Sequence, residues 1–179
     1  MTVHRSKGLE FPVVFVADTD HKFNQSDAIR PVLTHSRLGV GVMLRAPRAA
    51  KRFKTLPYAA LAQAIRTETL SEEMRVLYVA LTRAQDALII TVPLKKAASA
   101  LKTPALCAAA EATGSESMRS MGSWAGWILT AAMLHPDSDA LWEYTSFLPH
   151  HRPTEVPLTI RLVALPENAE QPPAPRAPQ

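Results

Sequence analysis

A cluster of short polar and cationic side chains occupies the start of the chain. It consists of Thr2, His4, Ser6 and Lys7, and Gly8 follows it directly. Hydroxyl, imidazole and ammonium groups are donors that suit the phosphate oxygens of a nucleic-acid backbone. A glycine at this point permits a tight backbone geometry, so that neighbouring amide groups can approach a phosphate. The segment therefore predicts contact with a phosphodiester strand.

A single arginine, Arg83, follows a helical segment that is apolar on nearly all of its sides. A buried charge without a partner is very costly, so this arginine is expected to have an anionic partner. Its guanidinium group stays charged, and its planar fork matches phosphate oxygens. A salt bridge to Asp86 or Glu72 is the alternative. The sequence thus predicts a phosphate contact or an ion pair here.

Two apolar runs, residues 11–17 and 87–92, lack a polar face and are rich in β-branched residues. Such runs predict strands buried on both faces of a mostly parallel sheet. A short strand is predicted at 38–44. A helix is predicted over 58–68, and a second helix, or a continuation of the first, from about 70 to 85. The order of strand, excursion, helix and strand indicates an α/β fold.

The second predicted helix has a start signal and an apolar stripe. Thr69 and Glu72 have capping-box spacing, which favours a new helix start at this point. We interpret Arg75 as a structural partner of Glu72, Tyr78 as a packing residue and Thr82 as a cap. The stripe has helical spacing and consists of Leu70, Met74, Leu77, Tyr78 and Leu81.

The remainder of the chain predicts helices and then a tail. Residues 95–117 are alanine-rich with breaks at Pro104 and Gly114, and Trp124 and Trp127 are interpreted as core residues of a helix that ends before Pro136. A short helix over 139–147 and a strand over 156–163 follow. Residues 165–179 contain five prolines and are predicted to be disordered. The predicted domains are the α/β part at 1–94, a mainly helical extension at 95–164 and the tail at 165–179.

Composition restricts the class of protein. No apolar run reaches the roughly 18 residues of a membrane span, and the N-terminus lacks the apolar stretch of a secretory signal. The single Cys107 excludes an intrachain disulfide framework, and the pair His150 and His151 lacks a third ligand at supporting spacing. We expect a cytoplasmic protein without a metal site or a membrane partner.

The basic residues are unevenly distributed. Residues 1–60 carry a net charge of +6, whereas residues 61–179 carry −2. This asymmetry suits a polyanion, although a solvated loop on an ordinary basic protein would look the same. The most basic segment contains Arg45, Arg48, Lys51, Arg52 and Lys54.

The stretch from Thr2 to Val16, followed by the stretch from Glu72 to Ala84, closely resembles motifs V and VI of superfamily 1 DNA helicases of the UvrD/RecB kind. The segments at 22–23, 38–42, 56–58 and 123–128 resemble the AddA-type subunits of bacterial helicase–nucleases. No Gly-x-x-x-x-Gly-Lys-Ser/Thr occurs, so the chain has no phosphate-cradling P-loop of its own. The sequence looks like part of a motor, the second RecA-like domain with a helical extension.

The resemblance implies roles for individual residues. Arg83 would be the catalytic arginine finger that reaches the γ-phosphate across the cleft, with Gly8 and Glu10 on the nucleotide side. Glu10 would accept from the ribose hydroxyl. The residues implied to face DNA are Thr2, His4, Ser6 and Lys7.

The resemblance also implies an activity for the parent protein. That protein would couple hydrolysis of ATP, with Mg²⁺, to movement along single-stranded DNA in double-strand-break repair and recombination. Its expected partners are single-stranded DNA, the first RecA-like domain and a second helicase/nuclease subunit, with an exonuclease domain elsewhere. The chain alone should be inactive. The alternatives are a stand-alone nucleic-acid or partner-binding module, and a fragment of a UvrD- or RecB-like helicase.

Overall fold

Two small sheets and one long helix make up the N-terminal half of the chain, in a computed structural model that describes residues 8–45, 51–110 and 115–164. One sheet is a parallel pair and the other is an antiparallel sheet of three strands in the order β2-β3-β4. The elements are β1 (Phe11–Val16), β2 (Val32–His35), β3 (Gly39–Arg45), β4 (Arg52–Lys54), the helix α1 (Leu56–Leu81) and β5 (Ala84–Ile90).

The two apolar runs pair as parallel neighbours, which confirms that part of the fold prediction. Val13 lies opposite Ala87, and Phe15 lies opposite Ile89, so these four side chains share one face of the sheet. That face is open to solvent, because Phe15 is 69% exposed and Val13 is 48% exposed. The expectation of burial on both faces is therefore wrong: Val16 is buried on the other face, but no described element covers this one.

Helix α1 is continuous, and the predicted new start at residue 70 is wrong. Its N-cap is Thr55, whose hydroxyl oxygen accepts from the backbone N–H of Tyr58 at 3.2 Å and donates to the carbonyl of Val42 at 2.8 Å. Thr69 lies inside the helix, and its hydroxyl donates to the carbonyl of Ile65 at 3.0 Å. The capping-box spacing does not start a new helix here, because Ile65 before Thr69 and Leu70 after it both pack in apolar clusters.

The predicted apolar stripe of α1 is only partly buried. Leu77 is buried, and Leu70 and Leu81 pack beside it. Tyr78 is 65% exposed and Met74 is 37% exposed, so the packing role predicted for Tyr78 is wrong. The buried side of the helix is therefore narrower than the sequence suggests.

Of the antiparallel sheet, the sequence predicts only β3, because β2 and β4 fall in segments whose sequences look like loops. One face of this sheet packs on the first half of α1, where Leu33, Tyr58, Leu61 and Ala62 form a buried cluster. Gly41 is at the closest approach: a Cβ built there would lie 2.7 Å from the Cα of Tyr58. The glycine that weakened the strand pattern is the residue that lets strand and helix meet.

Replacing Gly41 with alanine is expected to lower the free energy of unfolding by about 1–3 kcal/mol, because backbone must shift to admit the methyl group. The matched control is Gly122→Ala, since a Cβ at Gly122 meets nothing within 4 Å. Its effect should stay within about 0.5 kcal/mol. Urea unfolding followed by circular dichroism measures both, and equal midpoints for the two variants would contradict the close approach.

The C-terminal half is mainly helical within the described residues. Pro104 lies inside a helix and is buried, so the break predicted there is wrong, and residues 156–163 form no strand. None of the described helices is both long and apolar enough to cross a membrane. The elements are α2 (Ala97–Ala109), α3 (Ser115–Arg119), α4 (Trp124–Met133) and α5 (Asp139–Trp142).

One apolar cluster, which includes Phe23, Leu77 and Trp127, attaches this half to the first. Trp127 is buried against Phe23, with ring centroids 4.8 Å apart, which confirms its assignment to the core. Trp124 is partly buried, and its indole N–H donates to Glu73 of α1 at 3.1 Å. At the carboxyl ends of β1 and β5, the fully buried Thr19 donates its hydroxyl to the carbonyl of Thr91 at 2.8 Å. The predicted tail at 165–179 lies outside the described residues.

Candidate functional site

Arg83 stands immediately after Thr82, the residue that caps the C-terminus of α1, as the sequence predicts for Thr82. Its Nε donates to the carbonyl of Val79 and its Nη1 donates to the carbonyl of Leu9, both at 3.1 Å. Its Nη2 donates more weakly to the Thr82 hydroxyl oxygen at 3.4 Å. The guanidinium group is therefore fixed between the end of the helix and the segment that leads into β1.

Among the described residues, Arg83 has no carboxylate partner. The predicted alternative of a salt bridge to Asp86 or Glu72 is wrong, because Glu72 pairs with Arg75. That pair also confirms the structural role of Arg75. A guanidinium has five N–H groups, and Arg83 uses three of them on neutral acceptors, so two remain for an anion.

Gly8 and Glu10 lie on the neighbouring segment. Gly8 has φ +83°, a left-handed conformation that favours glycine, which confirms the special backbone geometry expected of it. The carboxylate of Glu10 is exposed and accepts from the side-chain amide of Gln85 at 3.0 Å. Because the Glu10 carboxylate is exposed and its hydrogen-bond donor is an uncharged amide, it can exchange that amide for a hydroxyl donor of a ligand.

The parallel pairing of β1 and β5 brings these residues together. Phe11 lies opposite Ala84, and the backbone N–H of Phe11 donates to the carbonyl of Arg83 at 2.9 Å. The segments that precede the two strands consequently meet at one edge of the sheet. The four residues expected to face DNA lie just upstream of Gly8 and outside the described residues; they are Thr2, His4, Ser6 and Lys7.

Gln85 is a member of this site that was not foreseen as a functional residue. Its signal is the pairing of the two strands: because Phe11 lies opposite Ala84, the side chain of Gln85 is within reach of the carboxylate of Glu10. The sequence indicated both strands but placed the second one at 87–92, which hid this neighbour.

A second feature is a cationic surface on the antiparallel sheet. Arg45 and Arg52 are exposed and directly opposite each other on β3 and β4. Like charges in directly opposite positions destabilise a sheet. Lys54 lies two residues from Arg52 on the same face of β4, and the exposed Lys51 directly precedes this strand. A bound polyanion would relieve this repulsion.

Comparisons with known proteins add a family and a set of relatives. Residues 1–95 match the UvrD-like helicase C-terminal domain family. The A subunit of the ATP-dependent helicase/nuclease from Ruminiclostridium cellulolyticum is 50% identical over 91 residues, which are 51% of this chain and 7% of that protein. The protein of the same name from Moorella thermoacetica is 39% identical over 145 residues, or 79% of this chain and 10% of that protein.

A third relative extends the similarity into the helical half. The protein of the same name from Heliobacterium modesticaldum is 36% identical over 153 residues, or 83% of this chain and 11% of that protein. The chain thus spans about a tenth of the length of these curated relatives. The family match covers the part that contains Gly8, Glu10 and Arg83, and the longer matches continue beyond it.

Proposed function

Because the chain belongs to the UvrD-like helicase C-terminal domain family, we propose that it forms part of the second RecA-like domain of an AddA-type ATP-dependent DNA helicase/nuclease. The observation that carries this proposal is the arrangement of Arg83. A partly buried guanidinium is tied by neutral acceptors to two backbone segments and keeps two N–H groups available. Such a group is oriented in advance for an anion.

In this proposal Arg83 is the arginine finger of an ATP site completed by another part of the parent protein. A guanidinium aimed at the γ-phosphate stabilises the charge that develops during phosphoryl transfer. Glu10 would exchange the amide of Gln85 for the ribose hydroxyl of ATP. The free N–H groups of Arg83 and the exchangeable carboxylate of Glu10 both fit that ligand.

The remaining groups for phosphoryl transfer would come from outside this chain. The sequence has no P-loop, and the described residues contain no group of three or more His, Cys, Asp or Glu side chains that could hold a metal ion. ATP and Mg²⁺ would therefore be bound mainly by the first RecA-like domain of the parent. The chain alone should not hydrolyse ATP.

The exposed face of the parallel pair supports membership of a larger domain. Parallel sheets are normally covered on both faces, whereas here Val13, Phe15, Ala87 and Ile89 present a continuous apolar face to solvent. We propose that another segment of the parent covers it. We also propose the division into a domain at 1–94 and a helical extension at 95–164, in which α2, α4 and α5 share one apolar cluster.

The DNA role rests on charge. Thr2, His4, Ser6 and Lys7 are proposed to contact a single strand, with the cationic surface of β3 and β4 as a further contact. The parent would use this contact to move along DNA in double-strand-break repair and recombination, together with a second helicase/nuclease subunit.

We expect the chain to bind single-stranded DNA without sequence preference, with Kd of about 10⁻⁴–10⁻⁶ M at physiological salt. Reversing two charges in Lys51→Glu/Arg52→Glu should weaken binding at least about tenfold and reduce the salt dependence, because fewer counterions are released. Fluorescence anisotropy of a labelled oligothymidylate at several salt concentrations measures both quantities.

The matched control is Lys95→Glu/Lys96→Glu, which reverses the same number of charges at exposed positions beyond the α/β part. Equal loss of affinity in the two double variants would show that only net charge matters, and an affinity that does not change with salt would contradict the proposed DNA contact.

A stand-alone binding module would give the same DNA result. It is distinguished by Arg83, which a module without ATP hydrolysis does not require.

A further inference from the structure

A polar cavity of about 280 Å³ lies between the middle of α1, the loop before β2 and the α3 segment. It is separate from Arg83, which is 17 residues further along and therefore roughly 25 Å away at about 1.5 Å of rise per residue. Its polar lining consists of Gln25, Gln63, Arg66, Thr67, Arg119 and Ser120, with Glu116 at the rim.

Arg66 is the unusual member of this lining. The Nε of Arg66 is buried and has no hydrogen-bond partner among the described residues. Within that same part of the chain, its guanidinium also has no carboxylate partner. A buried charged donor without an acceptor is unfavourable, and such groups are rare in folded proteins. Arg66 also lines the cavity, where an acceptor can approach its guanidinium group.

The other polar groups of the cavity include donors and acceptors. Arg119 adds a second guanidinium, and its single ion pair with Glu116 is long, at 3.5 Å. The Glu116 side chain is 92% exposed, so this carboxylate can leave the cavity without a change in the fold. Gln25 and Gln63 add amide groups. Ser120 contributes no free donor, because its hydroxyl already donates to the carbonyl of Ser117 at 2.7 Å.

We propose that this cavity is an oxyanion site that binds a phosphate group between Arg66 and Arg119. Two guanidinium groups match the several acceptor oxygens of a phosphate, and the side chains of Arg66 and Arg119 both line the cavity. The cavity, with a volume of about 280 Å³, is large enough to admit a phosphate group. The phosphate can be free or can belong to a nucleic-acid strand, and the experiment separates these sources.

The test uses the whole chain and follows the Nε–H resonance of Arg66 by ¹H–¹⁵N NMR. Inorganic phosphate, pyrophosphate and an oligothymidylate are titrated separately at constant ionic strength, with sodium chloride as the baseline. Saturable movement of the Arg66 resonance with phosphate or pyrophosphate alone assigns the site to a free ligand. Saturable movement at lower concentration with the oligothymidylate assigns it to a strand phosphate. An Arg66 resonance that none of the three moves overturns the proposal.

Variants test whether the two arginines act together. Arg66→Gln and Arg119→Gln should each weaken binding of the effective ligand at least tenfold, measured by calorimetry. The matched control is Arg75→Gln, an exposed arginine on the same helix, which should change affinity less than twofold. Equal losses in all three variants would overturn the site in favour of a general charge effect.

Stability gives an independent readout. Arg66→Met should raise Tm in the absence of phosphate, because it removes a buried donor without a partner, and it should abolish the rise in Tm that phosphate gives the unmodified chain. Should Arg66→Gln fail to fold, Arg66→Lys and the more exposed Arg119→Gln carry the affinity test. A phosphate-dependent rise in Tm that survives in Arg66→Met would contradict the site.

Discussion

Replacing Arg83 with alanine in the parent helicase is expected to lower kcat for DNA-stimulated ATP hydrolysis by roughly 100-fold or more. The reason is that a guanidinium at the γ-phosphate acts mainly in the transition state, where the transferred group carries its developing charge. KM for ATP should change by only a few fold, since the P-loop contacts remain. A steady-state ATPase assay with saturating single-stranded DNA measures both constants.

Two further variants isolate the cause of that loss. Arg75→Ala removes an exposed arginine whose partner is Glu72, and it should leave kcat within about twofold. Arg83→Lys keeps the charge but lacks the planar fork, so it should recover little activity. Arg83→Ala also removes hydrogen bonds to the carbonyls of Val79 and Leu9, so its fold is checked by circular dichroism. A folded Arg83→Ala enzyme with unchanged kcat would make Arg83 a structural link only.

Phe15→Asp is expected to destabilise the parent protein strongly and this chain alone only slightly. In the parent, where another segment is proposed to cover this sheet face, a carboxylate at position 15 would be buried without a partner. Such a change should cost at least about 3 kcal/mol and leave little soluble, active enzyme. In the isolated chain Phe15 is 69% exposed, so the same substitution should change the free energy of unfolding by less than about 1 kcal/mol.

Urea unfolding measures the effect of Phe15→Asp on the stability of the isolated chain. Soluble expression and ATPase activity measure its effect on the parent. The isolated chain serves as the control for the parent, because the substitution and its local strand are identical in both. A parent enzyme that tolerates Phe15→Asp as well as the isolated chain does would show that this face stays open to water, and would remove the argument that another segment covers it.

The two parallel strands could be predicted from sequence because a run such as 11–17 carries its own signal. The sequence alone could not show which other segments pack against these strands. A run without a polar face indicates a strand that is covered on both sides somewhere, but it does not say which segment provides the cover. Phe15 has the sequence pattern of a core residue and the exposure of a surface residue.

The errors in the helices have a similar origin. Thr69 and Pro104 carry local signals for a helix start and a helix break, yet both lie inside continuous helices. Packing on neighbouring elements outweighs the local preference of one residue. In the candidate site, Arg83 and Glu10 are proposed from the resemblance to helicase motifs, whereas the contact of Gln85 with Glu10 depends on the pairing of two strands that are distant in sequence.

The central claim is that Arg83 contacts the phosphate being transferred, and the most direct measurement compares two nucleotides in the parent enzyme. Affinities for ADP with aluminium fluoride, which resembles the transition state, and for a non-hydrolysable ATP analogue are measured by calorimetry in wild type and Arg83→Ala. A contact specific to the transition state predicts that the variant loses roughly 100-fold or more in affinity for the first ligand and only a few fold for the second. Equal losses for the two ligands, or no loss for either, would contradict the assignment.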